Sequence, residues 1–233
     1  MASPSSKEFR TTTGNRLAFG LISVSGGSRV CTPNAAPQSP MYICLVCKGA
    51  SARPICEFCS NGLHKLRRPI VRDEKIYRVH SLFPWRHTSP PALQWLVRSL
   101  KHHDESELWC ELAVWMTGAF GPRTNSVLVP IPSHNRNHAL GLTRAIECLT
   151  GIPIMQALAA PSEERHQKRL TRERRNEVYF ERALWSFCTE YTNVIIIDDV
   201  VTTGATSRAA YHALGRPRNC EVWCLMDRRP CRE

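Results

Sequence analysis

The stretch Val194-Ile-Ile-Ile-Asp-Asp-Val-Val-Thr-Thr-Gly-Ala-Thr206 decides the fold of this 233-residue chain. Its first four residues are apolar and β-branched, so they favour a strand that is buried on both faces. Such strands lie centrally in parallel sheets, and ligands bind beyond their carboxyl ends. The sequence therefore predicts a strand, a loop and a helix that begins near Ala205, with a binding site at the loop.

The segment after this strand has the composition of a phosphate site. The first N–H groups of a helix lack helical partners and carry partial positive charge, and a glycine lets the main chain approach an anion. Two adjacent acids can accept hydrogen bonds from the two hydroxyls of a ribose, or hold water around Mg²⁺. The alternative is a buried strand that ends in a capped turn, which explains one acid and one threonine. The candidate binding residues are Asp198, Asp199, Thr202, Thr203, Gly204, Ala205 and Thr206.

A second motif lies near the N-terminus, where four of the eleven cysteines form two tight pairs, Cys44/Cys47 and Cys56/Cys59. Two such pairs can turn four thiolates toward one ion, and four protein ligands make a site structural. We predict a structural Zn²⁺ site in a zinc-ribbon-like module. The alternatives are chance pairing, a redox pair or an iron–sulfur cluster, and His64 is an alternative ligand.

The segments around the 194–206 stretch alternate between helical and strand patterns. Apolar residues recur at helical spacing over residues 93–100, 107–116 and 138–149, and a helix follows at 205–214. Strands are predicted at 126–132, 153–158, 178–180 and 221–226, with residues 161–177 as a charged, mobile loop. Strands that alternate with helices indicate an α/β fold, with a largely parallel sheet flanked by helices.

Composition limits the function classes. No apolar run is long enough to cross a membrane, and the N-terminus lacks the apolar core of a signal peptide, so we predict a cytoplasmic protein. The net charge is +11, and residues 41–80 hold eight basic and three acidic residues. A basic cluster beside a metal module favours a polyanion partner, and Lys65, Arg67 and Arg68 are the candidate nucleic-acid contacts. A solvated positive surface is the alternative.

The domain boundaries follow from these patterns. Residues 1–40 are rich in Ser, Thr, Gly and Pro and are predicted to be a disordered leader, with Met41 as an alternative start. Residues 41–68 form the cysteine module, and residues 69–233 form the α/β domain. Four tryptophans and a tyrosine offer stacking surfaces for bases, but their helical spacing favours the core: Trp85, Trp95, Trp109, Trp115 and Tyr77.

Residues 194–206 resemble the signature of type I phosphoribosyltransferases that binds phosphoribosyl pyrophosphate (PRPP). With the cysteine pairs upstream, the chain from about residue 42 to 227 resembles the ComF family, whose members are linked to DNA uptake in competence. Residues 81–85, 96–101 and 127–132 fit that family, whereas Leu140-Gly-Leu-Thr-Arg144 keeps its glycine but lacks its usual Asn-Gln pair. The resemblance implies a type I phosphoribosyltransferase-like fold, PRPP with Mg²⁺ as ligand, and pyrophosphate or lid contacts from Lys101, Ser133, His134, Arg136, Gln167, Arg174 and Arg175.

Three functions are compatible with this resemblance. The first is a PRPP-binding factor that handles single-stranded DNA in competence, with a competence helicase as a partner implied by the family. The second is an active phosphoribosyltransferase with an unknown acceptor. Purine salvage is disfavoured, because Thr202 stands where those members carry a proton-handling Asp. The third is a nucleic-acid-binding regulator, transcriptional or RNA-binding, that responds to PRPP.

Overall fold

The computed structural model describes residues 42–86, 88–100, 106–132, 138–159, 180–182 and 191–229, all within one compact unit. The predicted leader (residues 1–40) and Met41 lie outside the described residues, as do the predicted 161–177 loop and most of the predicted 178–180 strand. In the described ranges no helix is long and apolar enough to cross a bilayer.

The described elements alternate between strands and helices along the chain. The helices are α1 (Glu57–Leu66), α2 (Pro91–Leu100), α3 (Ser106–Phe120), α4 (His138–Thr150) and α5 (Ala205–Ala213). The strands are β1 (Tyr42–Ile43), β2 (Ala50–Ser51), β3 (Ile70–Glu74), β4 (Tyr77–Pro84), β5 (Ser126–Pro130), β6 (Leu158–Ala159), β7 (Glu181–Arg182), β8 (Asn193–Val201) and β9 (Cys220–Asp227).

The central sheet has five strands in the order β3-β4-β9-β8-β5. The pairs β4–β9, β9–β8 and β8–β5 are parallel, and only the β3–β4 hairpin pairs antiparallel within this sheet. In the described residues β1–β2 and β6–β7 form two further antiparallel pairs outside the sheet. The prediction of a mixed α/β fold with a largely parallel sheet is confirmed.

Strand β8 shows why helices cover both faces of this sheet. Ile195 and Ile197 join a cluster with apolar residues of α2, α3 and α4, whereas Val194 and Ile196 join a second cluster with residues of α5. Alternate residues of a strand point to opposite faces, so a run of four apolar residues needs apolar cover on each side. Both acids and the loop that follows lie at the carboxyl end of this buried strand.

The cysteine module packs into the same core as the α/β domain. Leu45, Ile55 and Leu63 are buried in the cluster that contains α2 and α3. Two hydrogen bonds reinforce the contact: Ser99 Oγ donates to the Leu45 carbonyl at 3.1 Å, and Ser60 Oγ donates to Glu111 Oε1 at 2.8 Å. The module thus receives apolar and polar support from outside its own segment.

Two features differ from the sequence expectations. The predicted strand at 153–158 is wrong as a strand: Ile154 makes an isolated parallel bridge to Leu128, and only Leu158 belongs to the short strand β6. Pro153 lacks an N–H and cannot extend a ladder. The β3–β4 hairpin and helix α1 have no counterpart among the predicted elements, since charged residues in β3 and the cysteine spacing in α1 obscure their periodicity.

Candidate functional site

The loop between β8 and α5 has the geometry of an anion site. Gly204 is the N-cap of α5 and adopts the left-handed conformation with φ 74°, which glycine reaches without strain. The first helical hydrogen bond of α5 is donated by Arg208 N to the Gly204 carbonyl at 3.0 Å. The amides of residues 205–207 therefore precede the repeating helical pattern, and this end of the helix attracts negative charge.

Part of this donor capacity is used by the loop itself. The Ala205 amide donates to Thr203 Oγ1 at 3.3 Å, which caps one of the free amides. The Thr202 and Thr203 side chains are exposed, and Thr206 is half-buried. Ser207 is fully buried in the first turn, and its hydroxyl has no hydrogen-bond partner among the described residues.

An arginine that the sequence did not single out lies directly against this loop. A Cβ atom added at Gly204 would lie 2.5 Å from Nη1 of Arg229, so the Arg229 side chain would have to shift if Gly204 were replaced. Arg229 donates from Nη1 to Glu74 Oε1 at 2.6 Å and from Nε to Asp227 Oδ1 at 3.2 Å. Arg72 bonds the other oxygen of Asp227. The only sequence signal was a basic pair directly after the last strand.

A cleft of about 920 Å³ opens between this loop and the β3–β4 hairpin, and we call it the hairpin cleft. Thr203, Arg208 and Arg229 line it on the loop side, and residues 70–77 line it on the hairpin side. The loop therefore borders open space, with two guanidinium groups beside it. This arrangement leaves room for an anion next to the start of α5.

The acid pair, Asp198 and Asp199, occupies the end of β8. Asp198 is buried, and that burial together with the neighbouring Asp199 raises the pKa of its carboxyl well above the usual value. Asp198 Oδ1 accepts from the Asp199 amide at 2.9 Å, and Asp199 Oδ1 accepts from the Val200 amide at 2.8 Å. Each acid thus has one oxygen fixed by the backbone, and Asp199 is the more accessible of the two.

The pyrophosphate or lid residues inferred from the family resemblance are not placed by the structure. All seven lie outside the described residues: Lys101, Ser133, His134, Arg136, Gln167, Arg174 and Arg175. The described part of the candidate site is therefore the β8–α5 loop with the acid pair.

The four cysteines of the module converge on one point. Cys44 and Cys47 lie in the β1–β2 turn, Cys56 is the N-cap of α1, and Cys59 lies in its first turn. Their sulfurs all lie within 4.8 Å of one another, and Cys47 Sγ and Cys56 Sγ are 3.8 Å apart. A tetrahedral zinc with Zn–S bonds of about 2.3 Å requires sulfurs separated by about 3.8 Å. The geometry fits a closed, structural metal site.

The surroundings of the thiols also suit a cation. Burial raises the pKa of Cys44, but hydrogen bonds from the amides of Cys56, Cys47 and Val46 outweigh it and lower the pKa to about 6. Burial raises the pKa of Cys59, and the neighbouring thiols raise it further, so four thiolates would not share this space without a cation. His64 lies outside the cluster: its Nδ1 contacts Arg67, and its ring packs 5.0 Å from Trp115.

The candidate nucleic-acid residues differ in their exposure. Lys65 and Arg68 are exposed, whereas Arg67 is half-buried with its guanidinium 5.7 Å above the Trp115 ring. Trp109 and Trp115 are buried on α3, as their helical spacing favoured, whereas Tyr77 is buried in strand β4 and Trp85 is half-buried.

Trp95 is the exception among the tryptophans named for stacking. It is 42% exposed on α2, and its ring lies 5.5 Å from Lys48 Nζ and 5.4 Å from the guanidinium of Arg98. Phe58 on α1 is 86% exposed. Surfaces that bind single-stranded nucleic acid commonly combine exposed aromatic rings, which stack on unpaired bases, with cations that contact the phosphates.

Comparisons with known proteins give partial matches. No family model matches the chain. The bifunctional protein PyrR of Akkermansia muciniphila is 49% identical over 45 residues, so the chain spans only 25% of that relative, and the match covers 18% of this chain. A structure of hypoxanthine phosphoribosyltransferase from Trypanosoma cruzi, in complex with its product IMP, is 19% identical in sequence to this chain. The match covers 55% of this chain and 68% of that enzyme, with a TM-score of 0.29. A second structure of that enzyme, solved to study its C-terminal region, has 20% identity, coverages of 56% and 70%, and a TM-score of 0.33.

Proposed function

We propose that this protein binds a phosphoribosyl ligand, PRPP or a related ribose 5-phosphate, at the carboxyl end of β8. The observation that carries the proposal is the left-handed Gly204 at the N-terminus of α5, beside a cleft that Arg208 and Arg229 line. A phosphate at this point meets free amides, threonine hydroxyls and the positive end of the helix together.

The acid pair gives the proposal its sugar specificity. A carboxylate has about four lone-pair positions, and the backbone uses one oxygen of each acid. The remaining positions can accept hydrogen bonds from the two vicinal hydroxyls of the ribose. These hydroxyls lie on the same side of the ring, so two neighbouring acceptors suit them. Mg²⁺ bound with PRPP would neutralise the pyrophosphate and, through its water ligands, favour the ionised form of Asp198.

Calorimetry with PRPP and Mg²⁺ tests this proposal. The wild-type protein should bind, and the double variant Asp198→Asn/Asp199→Asn should bind at least about tenfold more weakly, since hydrogen bonds to charged groups contribute about 1.5–3 kcal/mol each. Glu107→Gln, an exposed acid of α3, is the matched control and should bind as the wild type does. No heat from the wild-type protein at millimolar PRPP would refute the proposal.

Bound PRPP is either cleaved, as in a phosphoribosyltransferase, or held intact as an effector. A phosphoribosyltransferase stabilises positive charge at the sugar and negative charge on departing pyrophosphate, which requires positioning and electrostatics more than a nucleophile. Pyrophosphate release measured with a panel of bases separates the two: release with one base identifies an enzyme and its acceptor. Binding with no release across the panel identifies PRPP as an effector.

The second part of the proposed function is the handling of single-stranded nucleic acid by the cysteine module and α2. The observation that favours it is Trp95 on α2, which is exposed between the cations of Lys48 and Arg98. Phe58, on α1 of the cysteine module, is also exposed. A ComF-like role in DNA uptake, with zinc in the module and a competence helicase as partner, is the specific form that we propose.

Fluorescence anisotropy with an oligothymidylate tests this second part. Trp95→Ala should weaken binding about tenfold, because stacking on an aromatic ring is worth about 1–3 kcal/mol per base. Lys65→Ala/Arg68→Ala should instead flatten the salt dependence by about 0.7 for each phosphate that the variant no longer neutralises. Val114→Ala, an exposed apolar residue of α3, is the control. Arg67 is kept, because its removal would disturb Trp115.

Adding PRPP to the same assay separates two nucleic-acid roles. A regulator that responds to PRPP should change its oligonucleotide affinity when PRPP and Mg²⁺ are added, and Asp198→Asn/Asp199→Asn should abolish the response but keep the affinity. A DNA-handling factor with an independent pocket should show the same affinity with and without PRPP. Absence of binding at low salt would remove both roles.

A further inference from the structure

His138, the first residue of α4, lies next to the acid pair and was not among the predicted site residues. Its Nδ1 lies 3.6 Å from Oδ2 of Asp199, within the distance of an ion pair. The side chain is only 12% exposed, so its position is set by packing. His138 begins the helix that follows β5, whereas the candidate loop follows β8. Because β5 and β8 are parallel neighbours, their carboxyl ends bring the two segments together.

The imidazole is supported from behind by a tryptophan. The Trp109 ring of α3 lies 5.7 Å from the His138 ring, with the planes inclined by 34°. Trp109 in turn lies against Gly141, where an added Cβ would come within 2.9 Å of the indole Nε1. The contact chain Gly141, Trp109, His138 and Asp199 therefore runs from the helix pair α3–α4 to the carboxylate.

We propose that His138 is a positioning residue that sets the orientation of Asp199 for the hydroxyls of the sugar. One oxygen of Asp199 is fixed by the Val200 amide at 2.8 Å, and His138 Nδ1 faces the other. A carboxylate that is contacted at both oxygens has a restricted plane, so its remaining lone pairs face the sugar hydroxyls once the His138 contact shortens on binding. The inference rests on the proposed phosphoribosyl function and adds a residue to it.

The length of the contact is consistent with this role. At 3.6 Å the two atoms are too far apart for a good hydrogen bond, and polar contacts in ligand-free sites often shorten when the ligand binds. Asn places a side-chain N–H close to where histidine carries Nδ1, whereas Phe keeps the ring and lacks the donor. These two substitutions therefore separate the polar role of His138 from its packing against Trp109.

Three ligands measured by calorimetry on the full chain isolate the effect: inorganic phosphate, 2-deoxyribose 5-phosphate and ribose 5-phosphate. His138→Phe should lower the preference for ribose over 2-deoxyribose about tenfold, the effect of one hydrogen bond to a charged group. His138→Asn should retain most of that preference. Inorganic phosphate should bind equally to all three proteins, because it occupies the loop and does not reach Asp199.

The outcomes are distinguishable. If His138→Phe keeps the wild-type ribose preference while phosphate still binds, the positioning role is wrong and the proposed function stands. If both variants lose the preference equally, a side-chain N–H at this position does not preserve it, and the inference that Nδ1 orients Asp199 is overturned. If the wild-type protein binds neither inorganic phosphate nor ribose 5-phosphate, the proposed function fails, and the inference fails with it. Weak phosphate binding in a variant would reveal a folding defect, which thermal unfolding of the same sample detects.

Discussion

The cysteine cluster and the proposed sugar-phosphate site both use the first turn of a helix, but they are assembled differently. Every thiol of the cluster comes from the single segment Cys44–Cys59, with two in a turn and two at the start of α1. The sugar-phosphate site combines the end of β8 and the start of α5 with Arg229 after β9 and His138 of α4. A site built from one segment can be identified from spacing alone, whereas a site built from several needs the fold.

The two sites also differ in the unfavourable electrostatic interaction that a bound ligand would remove. Four thiols within 4.8 Å repel one another once ionised, so a cation is required for the ligand set to be stable. At the other site, a single acid is buried beside a second one, and Arg229 already has two acidic partners, Glu74 and Asp227. Removing the metal should therefore strongly destabilise the first region, whereas the second should stay folded without its ligand.

The largest effect is expected for Cys59→Ser. The variant should lose its metal and more than about 5 kcal/mol of unfolding free energy, because structural zinc supplies about 10–16 kcal/mol to small modules and this module keeps its apolar contacts with α2 and α3. Zinc content per chain and the midpoint of thermal unfolding measure the two losses. Cys148→Ser, an exposed cysteine of α4, is the control and should change neither. Full metal content in Cys59→Ser would show that this thiol is not a ligand.

Gly204→Ala should produce the next largest effect, about 3 kcal/mol of lost stability and loss of phosphate binding. The new Cβ would strain the left-handed backbone, at about 1–2 kcal/mol, and would displace the Arg229 guanidinium from its acidic partners. Urea unfolding and phosphate calorimetry give the two quantities.

Gly151→Ala separates the two causes in that result. Gly151 has φ 71°, close to the 74° of Gly204, but an added Cβ there has no atom within 4 Å. Its replacement should cost only the strain of about 1–2 kcal/mol and leave phosphate binding unchanged. Equal losses in the two variants would show that Arg229 moves aside without cost.

The same contrast explains what the sequence could and could not predict. The β-branched run before Asp198 and the glycine at 204 specify a strand, a loop and a helix locally, and the structure has β8 and α5 there. The helix predicted from residue 138 also begins where α4 does. Each of these elements is marked by a pattern within its own segment.

Arg229 and His138 were not predicted, because the basic pair after the last strand does not show what Arg229 contacts and nothing in its own segment marks His138. Arg229 reaches Gly204 only because β8 and β9 pair in parallel, and His138 reaches Asp199 only because β5 lies beside β8. Strand order and register depend on long-range packing, which a single sequence does not reveal. The β3–β4 hairpin was missed for a related reason: β3 is an edge strand whose Arg72, Asp73 and Glu74 conceal the apolar alternation.

Gly141→Ala tests the packing that supports His138, with an expected loss of about 2 kcal/mol. The added methyl group would lie 2.9 Å from the Trp109 indole in a tight helix–helix contact, and overpacking of this kind costs about 1–3 kcal/mol. Gly118→Ala is the control on α3, since an added Cβ there meets nothing within 4 Å. It should stabilise the protein by up to about 1 kcal/mol through helix propensity. Equal effects of the two variants would show that Trp109 does not pack against Gly141.

The smallest effect, and the only stabilising one at the sugar-phosphate site, is expected for Asp198→Asn. Burial first, and the Asp199 charge second, raise the pKa of the Asp198 carboxyl in the folded protein above its unfolded value near 3.9. The unfolded chain then releases this proton at lower pH than the folded one, so the wild-type protein loses stability as pH rises from about 4 through the folded pKa. Asparagine does not titrate, so the variant should gain stability over the wild type between pH 4 and pH 8.

Urea unfolding of both proteins at the two pH values measures this gain, and PRPP calorimetry of the same samples measures its functional cost. A variant that is more stable at pH 8 but binds PRPP more weakly would show that the buried acid is retained for ligand binding at the expense of folding. A stability difference that is the same at pH 4 and pH 8 would mean that Asp198 ionises as easily in the folded protein as in the unfolded chain. The acid pair would then be an ordinary strand end, with no cost of ionisation stored in the folded protein.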